Sequence, residues 1–368
     1  YARAHQLYQQ ACDASYMRGC ERLGILYEDG NGVTQDYARA HQLYQQACDG
    51  DYVGGCVNLG VLYMNGRGVT RDSARAVQLY QRACDGDNMT GCMNLGVLYM
   101  NGRGVTRDSA RANQLYQRAC EGENWPACFN LAYQYYNGNG VRADRAHAYQ
   151  LWIRACSGGH EESCGWLDRA GAAAYNRREH ADALAYLTPA CEGGQARSCA
   201  VLGLLYSNGF GVTQDFVRAR QLYGRACQAG SMLGCQYQGW IYREGRGVPR
   251  DLARARQLYT QACEGDPVQC SGAAAMWFEG LGGARDIPRA VAWFQAECQR
   301  TNSVAACTQA AHRSGNWGGL RWHQSYTLRV TSAQGTRSGA SSCTLTVAHN
   351  GSHCAVNARC GDDYVYPS

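Results

Sequence analysis

Two cysteines eight positions apart recur along the chain at intervals of 35 or 36 residues: Cys12/Cys20, Cys48/Cys56, Cys84/Cys92, Cys120/Cys128, Cys156/Cys164, Cys191/Cys199 and Cys227/Cys235. Cys263/Cys270 and Cys298/Cys307 continue the series with the spacing changed by one residue. A period in this range belongs to two-helix solenoid repeats, whose units bury their apolar faces on one another, rather than to a closed globular core. Residues 1–314 are therefore read as one array. The segments 55–87 and 91–123 differ at only four positions, and the first twelve residues reappear unchanged at 37–48, as recent tandem duplication would leave them. Tyr1 corresponds to Tyr37, so the chain is expected to begin inside a repeat, with the natural start and any export signal upstream.

One unit can be read physically from Cys56. "CVNLGVLYMNG" places Leu59, Leu62 and Tyr63 at helical spacing, with Gly60 as a small residue where another helix can come close. This is helix A. "NGRGV" interrupts it: Gly66 and Gly68 permit backbone conformations that a Cβ resists, and Val69 is expected under the turn. Thr70 or Asp72 caps the following helix B, "SARAVQLYQRAC", which turns Ala76, Leu79, Tyr80 and Ala83 inward and its arginines outward.

The series L-G-x-x-Y, G-x-G-V and A-x-x-x-Y-x-x-A-C at this period resembles the Sel1-like repeat, a relative of the tetratricopeptide repeat. The added cysteine pair is similar to that of the Helicobacter-type cysteine-rich proteins. The resemblance covers about residues 1–314. It implies an all-α fold, a right-handed α/α superhelical solenoid of antiparallel helix pairs with helix A on the concave side. Repeat five, "GWLDRAGAAAYNRREHADALAYL", lacks the glycine loop and is closer to a plain tetratricopeptide repeat, so a change of curvature is expected near residues 165–190. "EGLGGARDIPRA" is an altered loop, and residues 302–314 are expected to form a closing helix.

Within one continuous helix, residues eight apart are about 12 Å apart, whereas a disulfide needs Cα atoms at roughly 4.4–6.8 Å, so the chain must turn back between each pair. "DGDYVGG" is suited to that. A metal site would need four ligands or histidines at short spacing, and none of the nine histidines recurs with the cysteines. C-x-x-C and C-x-x-C-H are also absent. The pairs are read as structural disulfides at nine repeat joints, which belong in an extracellular or periplasmic setting. No metal and no cofactor is expected.

After "HRSGNWGG" the period changes. "SYTLRVTSA" and "CTLTVA" alternate as strands do, and Asn350-Gly351 offers a tight hairpin, so residues 315–368 are read as a short C-terminal β segment. About fifty residues cannot build an independent sandwich, so the segment must dock on its own solenoid or on another chain. With a loop at Asn350-Gly351, Cys343 lies opposite residue 358 and one diagonal step from Cys360. Cys343 and Cys360 are then the expected bridge, and Cys354, facing Val347, is a candidate for linking chains. Other pairings of the three stay open. His349 and His353 are read as surface residues beside the turn.

On helix A the positions turned from the core are the informative ones for binding. Alignment on L-G-x-x-Y gives a candidate concave face of Val57, Met64, Asn65, Met93, Met100, Asn101, Phe129, Tyr133, Tyr136 and Asn137. Apolar and amide groups together suit a peptide or protein segment. Val61 and Val97 belong either to this face or to the inter-repeat core.

Other classes are excluded by composition. The net charge of +5 is spread over the repeats with no dense basic stripe, so nucleic acid is not an expected partner. There is no lysine, hence no P-loop lysine, Schiff-base lysine or S-x-x-K acyl-enzyme site. No apolar run of about 20 residues is present to span a membrane. G-x-S-x-G and H-E-x-x-H are missing, and "HEESC" at His160 lacks a second histidine. The expected function is a non-catalytic extracytoplasmic scaffold that works by protein contact, with further copies of itself among its partners through the solenoid ends and the β tail. The resemblance carries an alternative, penicillin binding or weak β-lactamase activity as described for cysteine-rich relatives.

Overall fold

The structure, a computed structural model, describes residues 1–301 and the backbone of 325–330, 341–350 and 353–360. The chain divides into two compact units, Tyr1–Leu202 and Gly203–Ser368. In the first unit are α1 (Ala2–Asp13), α2 (Met17–Asp29), α3 (Tyr37–Asp49), α4 (Val53–Asn65), α5 (Ser73–Asp85), α6 (Met89–Asn101), α7 (Ser109–Glu121) and α8 (Trp125–Asn137). It continues through α9 (Arg145–Ser157), α10 (Glu161–Asn176) and α11 (His180–Glu192) into α12 (Ala196–Asn208), within which the division falls. The second unit adds α13 (Phe216–Gln228), α14 (Met232–Glu244), α15 (Leu252–Gly265), a 3₁₀ turn at Pro267–Gln269, α16 (Cys270–Glu279) and α17 (Ile287–Thr301). Within each unit consecutive helices pack on one another, giving the all-α solenoid of helix pairs. The expected boundary at 314/315 and the closing helix 302–314 lie outside the described residues.

The glycine loop uses its two glycines differently. Gly66 ends α4 in the left-handed region, at φ 68°, and returns its amide to the Leu62 carbonyl. Gly68 is also left-handed, at φ 69°, and a Cβ there would stand 2.5 Å from the Tyr37 carbonyl carbon, where the preceding helix B begins. One glycine turns the chain and the other lets adjacent repeats touch. Asp72, rather than Thr70, then caps α5: its Oδ1 accepts from the Arg75 amide at 2.9 Å. Asp36, Asp108 and Asp144 repeat the cap in the first unit, as Asp215 and Asp251 do in the second.

The core follows from the same spacing. Leu59 and Leu62 of α4 are buried with Ala76, Leu79, Tyr80 and Ala83 of α5. Val69 packs against this cluster from the turn. A Cβ on Gly60 would lie 2.5 Å from Cε1 of Tyr80, and the same glycine-tyrosine complementarity joins Gly24 to Tyr44 and Gly96 to Tyr116. The glycine of L-G-x-x-Y is therefore the socket for the helix B tyrosine twenty residues later.

Repeat five, which lacks the glycine loop, differs locally from the others. Its first helix, α10, runs for 16 residues instead of 13, and α11 packs directly on α9 through stacked Tyr149 and Tyr186 rings 4.3 Å apart.

In the tail, β1 (Ser325–Val330), β2 (Ser341–Asn350) and β3 (His353–Cys360) form an antiparallel sheet in the order β1-β2-β3. The register corrects the expected hairpin. Asn350 pairs with His353, so Gly351 and Ser352 lie between the strands, Cys343 is directly opposite Cys360, and Cys354 is opposite His349 rather than Val347. The resulting shift of two residues preserves the alternation of the ladder.

Candidate functional site

Eight of the nine expected cysteine pairs are joined: Cys12–Cys20, Cys48–Cys56, Cys84–Cys92, Cys120–Cys128, Cys156–Cys164, Cys191–Cys199, Cys227–Cys235 and Cys263–Cys270, with Cα separations of 4.3 to 4.8 Å. The side chain of Cys298, Cys307, and the side chains of Cys343, Cys354, Cys360, His349 and His353 lie outside the described residues. Each bridge ties the last turn of a helix B to the first turn of the next helix A. Between the cysteines of the second and third bridges sits a left-handed residue, Asp51 at φ 62° and Asp87 at φ 58°, so the turn adopts a backbone that a side chain resists. An arginine from the next helix B closes over the joint. Arg82 reaches Asp51 at 2.6 Å with its other nitrogen 3.9 Å from the Cys48 sulfur, and Arg118 reaches Asp87 at 2.8 Å beside the Cys84 sulfur.

Both partners of each joint are buried. Cys128, Cys164, Cys199 and Cys235, like Cys56 and Cys92 before them, are buried beneath the turn, because the first turn of helix A faces the helix B that precedes it. All sixteen bridged cysteines are buried, so their sulfurs are withdrawn from solution chemistry and hold the joint without forming a reactive site.

The candidate binding face lies on α4, α6 and α8, and its residues separate into four kinds. Val57 is a core residue, 7% exposed, because its position in the second turn of α4 faces the neighbouring helices. Met64, Met93, Met100, Phe129 and Tyr136 are half-buried with one side against the core, as are Val61 and Val97. Tyr133 is 43% exposed. The amides are not all free: Asn101 donates its side-chain N–H to the Val97 carbonyl and Asn137 to the Tyr133 carbonyl, each at 2.9 Å. These two close the last turn of their own helices, and Asn65 remains an exposed amide.

Sequence reasoning missed an aromatic cluster that continues this face. Trp152 of α9 occupies the helix B tyrosine position and is fully buried, stacked on Trp166 of α10 at 5.0 Å. Tyr136 stands 5.5 Å from Trp152 and 6.4 Å from Trp166, and Tyr133 meets Trp166 edge-on at 6.5 Å. Arg145 lies over Tyr136 and Arg169 over Trp166, both at 5.1 Å. The visible signal was the replacement of tyrosine by tryptophan in register. His160, the histidine of "HEESC", caps α10 through Nδ1, which accepts from the Ser163 amide, while its ring lies 5.3 Å from Phe129. Among the described residues no group of three or more His, Cys, Asp or Glu side chains could hold a metal, and no helix is long and apolar enough to cross a membrane.

The repeated tyrosines make the core alkali-sensitive. Burial pushes Tyr80 in the first unit and Tyr259 in the second up to about 12. Tyr44 is raised further by burial and by donating to Glu28 Oε2 at 2.7 Å. A phenol whose folded pKa exceeds its unfolded value keeps its full stabilising effect below pH 10. As pH rises from about 10 through 12 the unfolded chain sheds protons that the folded chain holds, and stability falls. Tyrosinate absorbance should show a delayed class that ionises only with loss of helical ellipticity. A single class at 10, with the helices intact, would contradict this burial.

A Sel1 repeat family model matches residues 1–16, 18–52, 54–88, 90–124, 125–160, 196–231, 232–267 and 272–296. It passes over 161–195, the repeat without the glycine loop. Among solved structures, a protective antigen of uropathogenic Escherichia coli displaying the same type of repeat fold is 24% identical, with a TM-score of 0.60 over 86% of this chain and 68% of that one. A Sel1 repeat protein from Oxalobacter formigenes is 23% identical over 83% of this chain and 90% of that one, with a TM-score of 0.47. Helicobacter pylori cysteine rich protein B is 31% identical over 34% of this chain and 91% of its own length, with a TM-score of 0.30. A comparison with curated protein sequences returns no significant match. With the repeat model covering well over half of its length and the glycine loop, tyrosine socket and stapled joints recurring in register, the chain belongs to the Sel1 repeat family.

Proposed function

We propose that this chain is a non-catalytic scaffold, extracellular or periplasmic, that works by gripping protein segments on its helix A face. Sel1 repeat proteins generally mediate protein–protein contact. Persistent disulfides belong to an oxidising compartment, which supports a site of action outside the cytoplasm. The observation that carries the reading is the run of half-exposed Met64, Met100, Tyr133 and Tyr136 across successive repeats, leading into the Trp166 cluster. Large aromatic and thioether side chains on a rigid support are the residue types enriched where proteins meet. Self-assembly is the finer version: β1 and β3 are the outer strands of the described sheet, and an outer strand can accept a strand from another copy.

A photo-crosslinking amino acid placed at Met100 or Tyr133, and for comparison at exposed Gln117 on helix B, tests the contact face in the producing cells. Discrete protein adducts are expected from the first two positions and not from the third. Equal adducts from all three, or none from Met100 and Tyr133, would refute the assignment. Light scattering of the purified chain across concentration addresses assembly, and a monomer at high concentration would remove that version alone.

A further inference from the structure

Arg256 of α15 is a buried charge, set deeper than any other arginine of the described residues. The corresponding positions in earlier repeats hold His41, Val77, Asn113, Tyr149 and Arg220; Arg220 is only half-buried and donates to the Tyr242 hydroxyl at 3.3 Å. Arg256 is 7% exposed; its Nη2 donates to the Ala284 carbonyl at 2.7 Å, and its Nη1 is buried without a partner. Among the described residues no carboxylate stands within ion-pair distance of it. Its guanidinium lies 3.5 Å from the centre of the Trp277 ring. Arg289 of α17 lies 4.3 Å from the same ring, and the Trp277 indole N–H donates to Thr260 Oγ1 at 3.0 Å. Arg256, Thr260, Trp277 and Arg289, with exposed Gln257 and Gln261 along the rim, line one groove of the second unit.

The charges around this groove are unevenly matched. Glu264, which also lines the groove, is engaged by Arg289 at 3.0 Å, and Asp286 accepts from the Arg289 backbone amide as the cap of α17; Asp286 acts on Arg256 from beyond ion-pair distance. Two guanidiniums share one indole. Burial, and then the proximity of Arg289, lower the pKa of Arg256 from its ordinary value against the opposing pull of Asp286. A buried charge is costly unless an opposite charge meets it, and a planar guanidinium fork matches a carboxylate in shape and donor spacing. A single guanidinium without an ion-pair contact calls for a monoanion, and an aromatic wall with an amide rim suits the alkyl stem and backbone of a peptide.

We infer that this groove receives the carboxylate of an acidic side chain on a partner protein, with Arg256 and Arg289 as its cationic walls. The inference rests on the protein-contact reading and adds a second, charge-selective contact to it. Binding of a fluorescein-labelled Glu-Leu-Glu-Leu-Glu-Leu peptide to the full chain, measured by anisotropy at fixed ionic strength, tests it against the Gln-Leu counterpart. The acidic peptide should bind about tenfold more tightly, the ratio expected of one charge-assisted hydrogen-bonded pair. Gln261→Glu places a competing carboxylate on the rim at an exposed position, and should weaken the acidic peptide roughly fivefold or more without affecting the fold. Arg289→Gln should do the same. Equal affinity for the two peptides, or no response to Gln261→Glu, would overturn the assignment. Full competition by inorganic phosphate at matched ionic strength would also overturn it, as a site for free anions. If Tyr133 adducts persist while Gln261→Glu is without effect, the groove fails and the helix A face stands; the reverse pattern separates them the other way.

Discussion

Trp152→Ala is expected to destabilise the first unit by about 3–5 kcal/mol, the range for removing a fully buried tryptophan from a packed core. The ring is inaccessible to solvent and has Trp166, Tyr136, Tyr149 and Phe129 around it, so no single neighbour can move in to fill the space. Its indole Nε1 is buried without a hydrogen-bond partner. Removing an unsatisfied donor recovers about 1–3 kcal/mol of desolvation cost, which offsets part of the lost volume in Trp152→Phe. The phenylalanine variant should therefore lie within about 1.5 kcal/mol of the parent, far from the alanine variant, although both lose an indole. Denaturant unfolding followed by far-ultraviolet ellipticity measures both. Similar losses for the two variants would show that the nitrogen is satisfied after all. A loss below about 1 kcal/mol for alanine would mean that the cluster is not closely packed.

The cluster also shows where sequence pattern stops. Helix pairs, glycine loops and stapled joints were legible because each is decided by neighbours in the chain: Gly66 by the need to leave α4, Asp72 by the free amides of α5, Cys84 and Cys92 by a turn that brings them together. The Gly60–Tyr80 socket was half legible, since the small residue was evident but not its occupant. Exposure on helix A was less so. Val57 has the same chemistry as a surface contact, and only the packing of adjacent helices buries it. Asn101 and Asn137 resemble recognition amides, yet their short side chains reach carbonyls one turn back. The aromatic cluster gathers side chains from α8, α9, α10 and α11, and no local period encodes that meeting. In the tail, the registers with Asn350-Gly351 and with Gly351-Ser352 between the strands both preserve the in-out alternation, so hydrophobic pattern could not choose between registers two residues apart. Arg256 was invisible for another reason: one arginine among 35 basic residues carries no sign of being buried.

Removing one bridge, by Cys84→Ala with Cys92→Ala, should lower stability by about 2–3 kcal/mol, the chain-entropy value for a loop this short. The bridge is not the sole occupant of the joint, which shapes how the loss is distributed. Asp87 is left-handed at φ 58°, and a Cβ on Gly91 would come within 2.6 Å of the Ala83 Cβ, so backbone strain and close helix contact meet where the bridge holds them. Arg118 adds its ion pair with Asp87 at 2.8 Å, an exposed contact too weak to substitute. Without the bridge the turn can relax toward ordinary backbone, and α5 and α6 lose the geometry that passes stability from one repeat to the next. Hydrogen exchange should accordingly quicken most in α5, α6 and their immediate neighbours, with α1 and α2 close to the parent. The intact protein should meanwhile resist dithiothreitol in native buffer, because all sixteen bridged cysteines are buried, and become reducible only at denaturant concentrations that open the joints. Rapid native-state reduction, or a double variant within about 1 kcal/mol of the parent, would mean that helix packing alone sets the joint and that the bridges are dispensable to it.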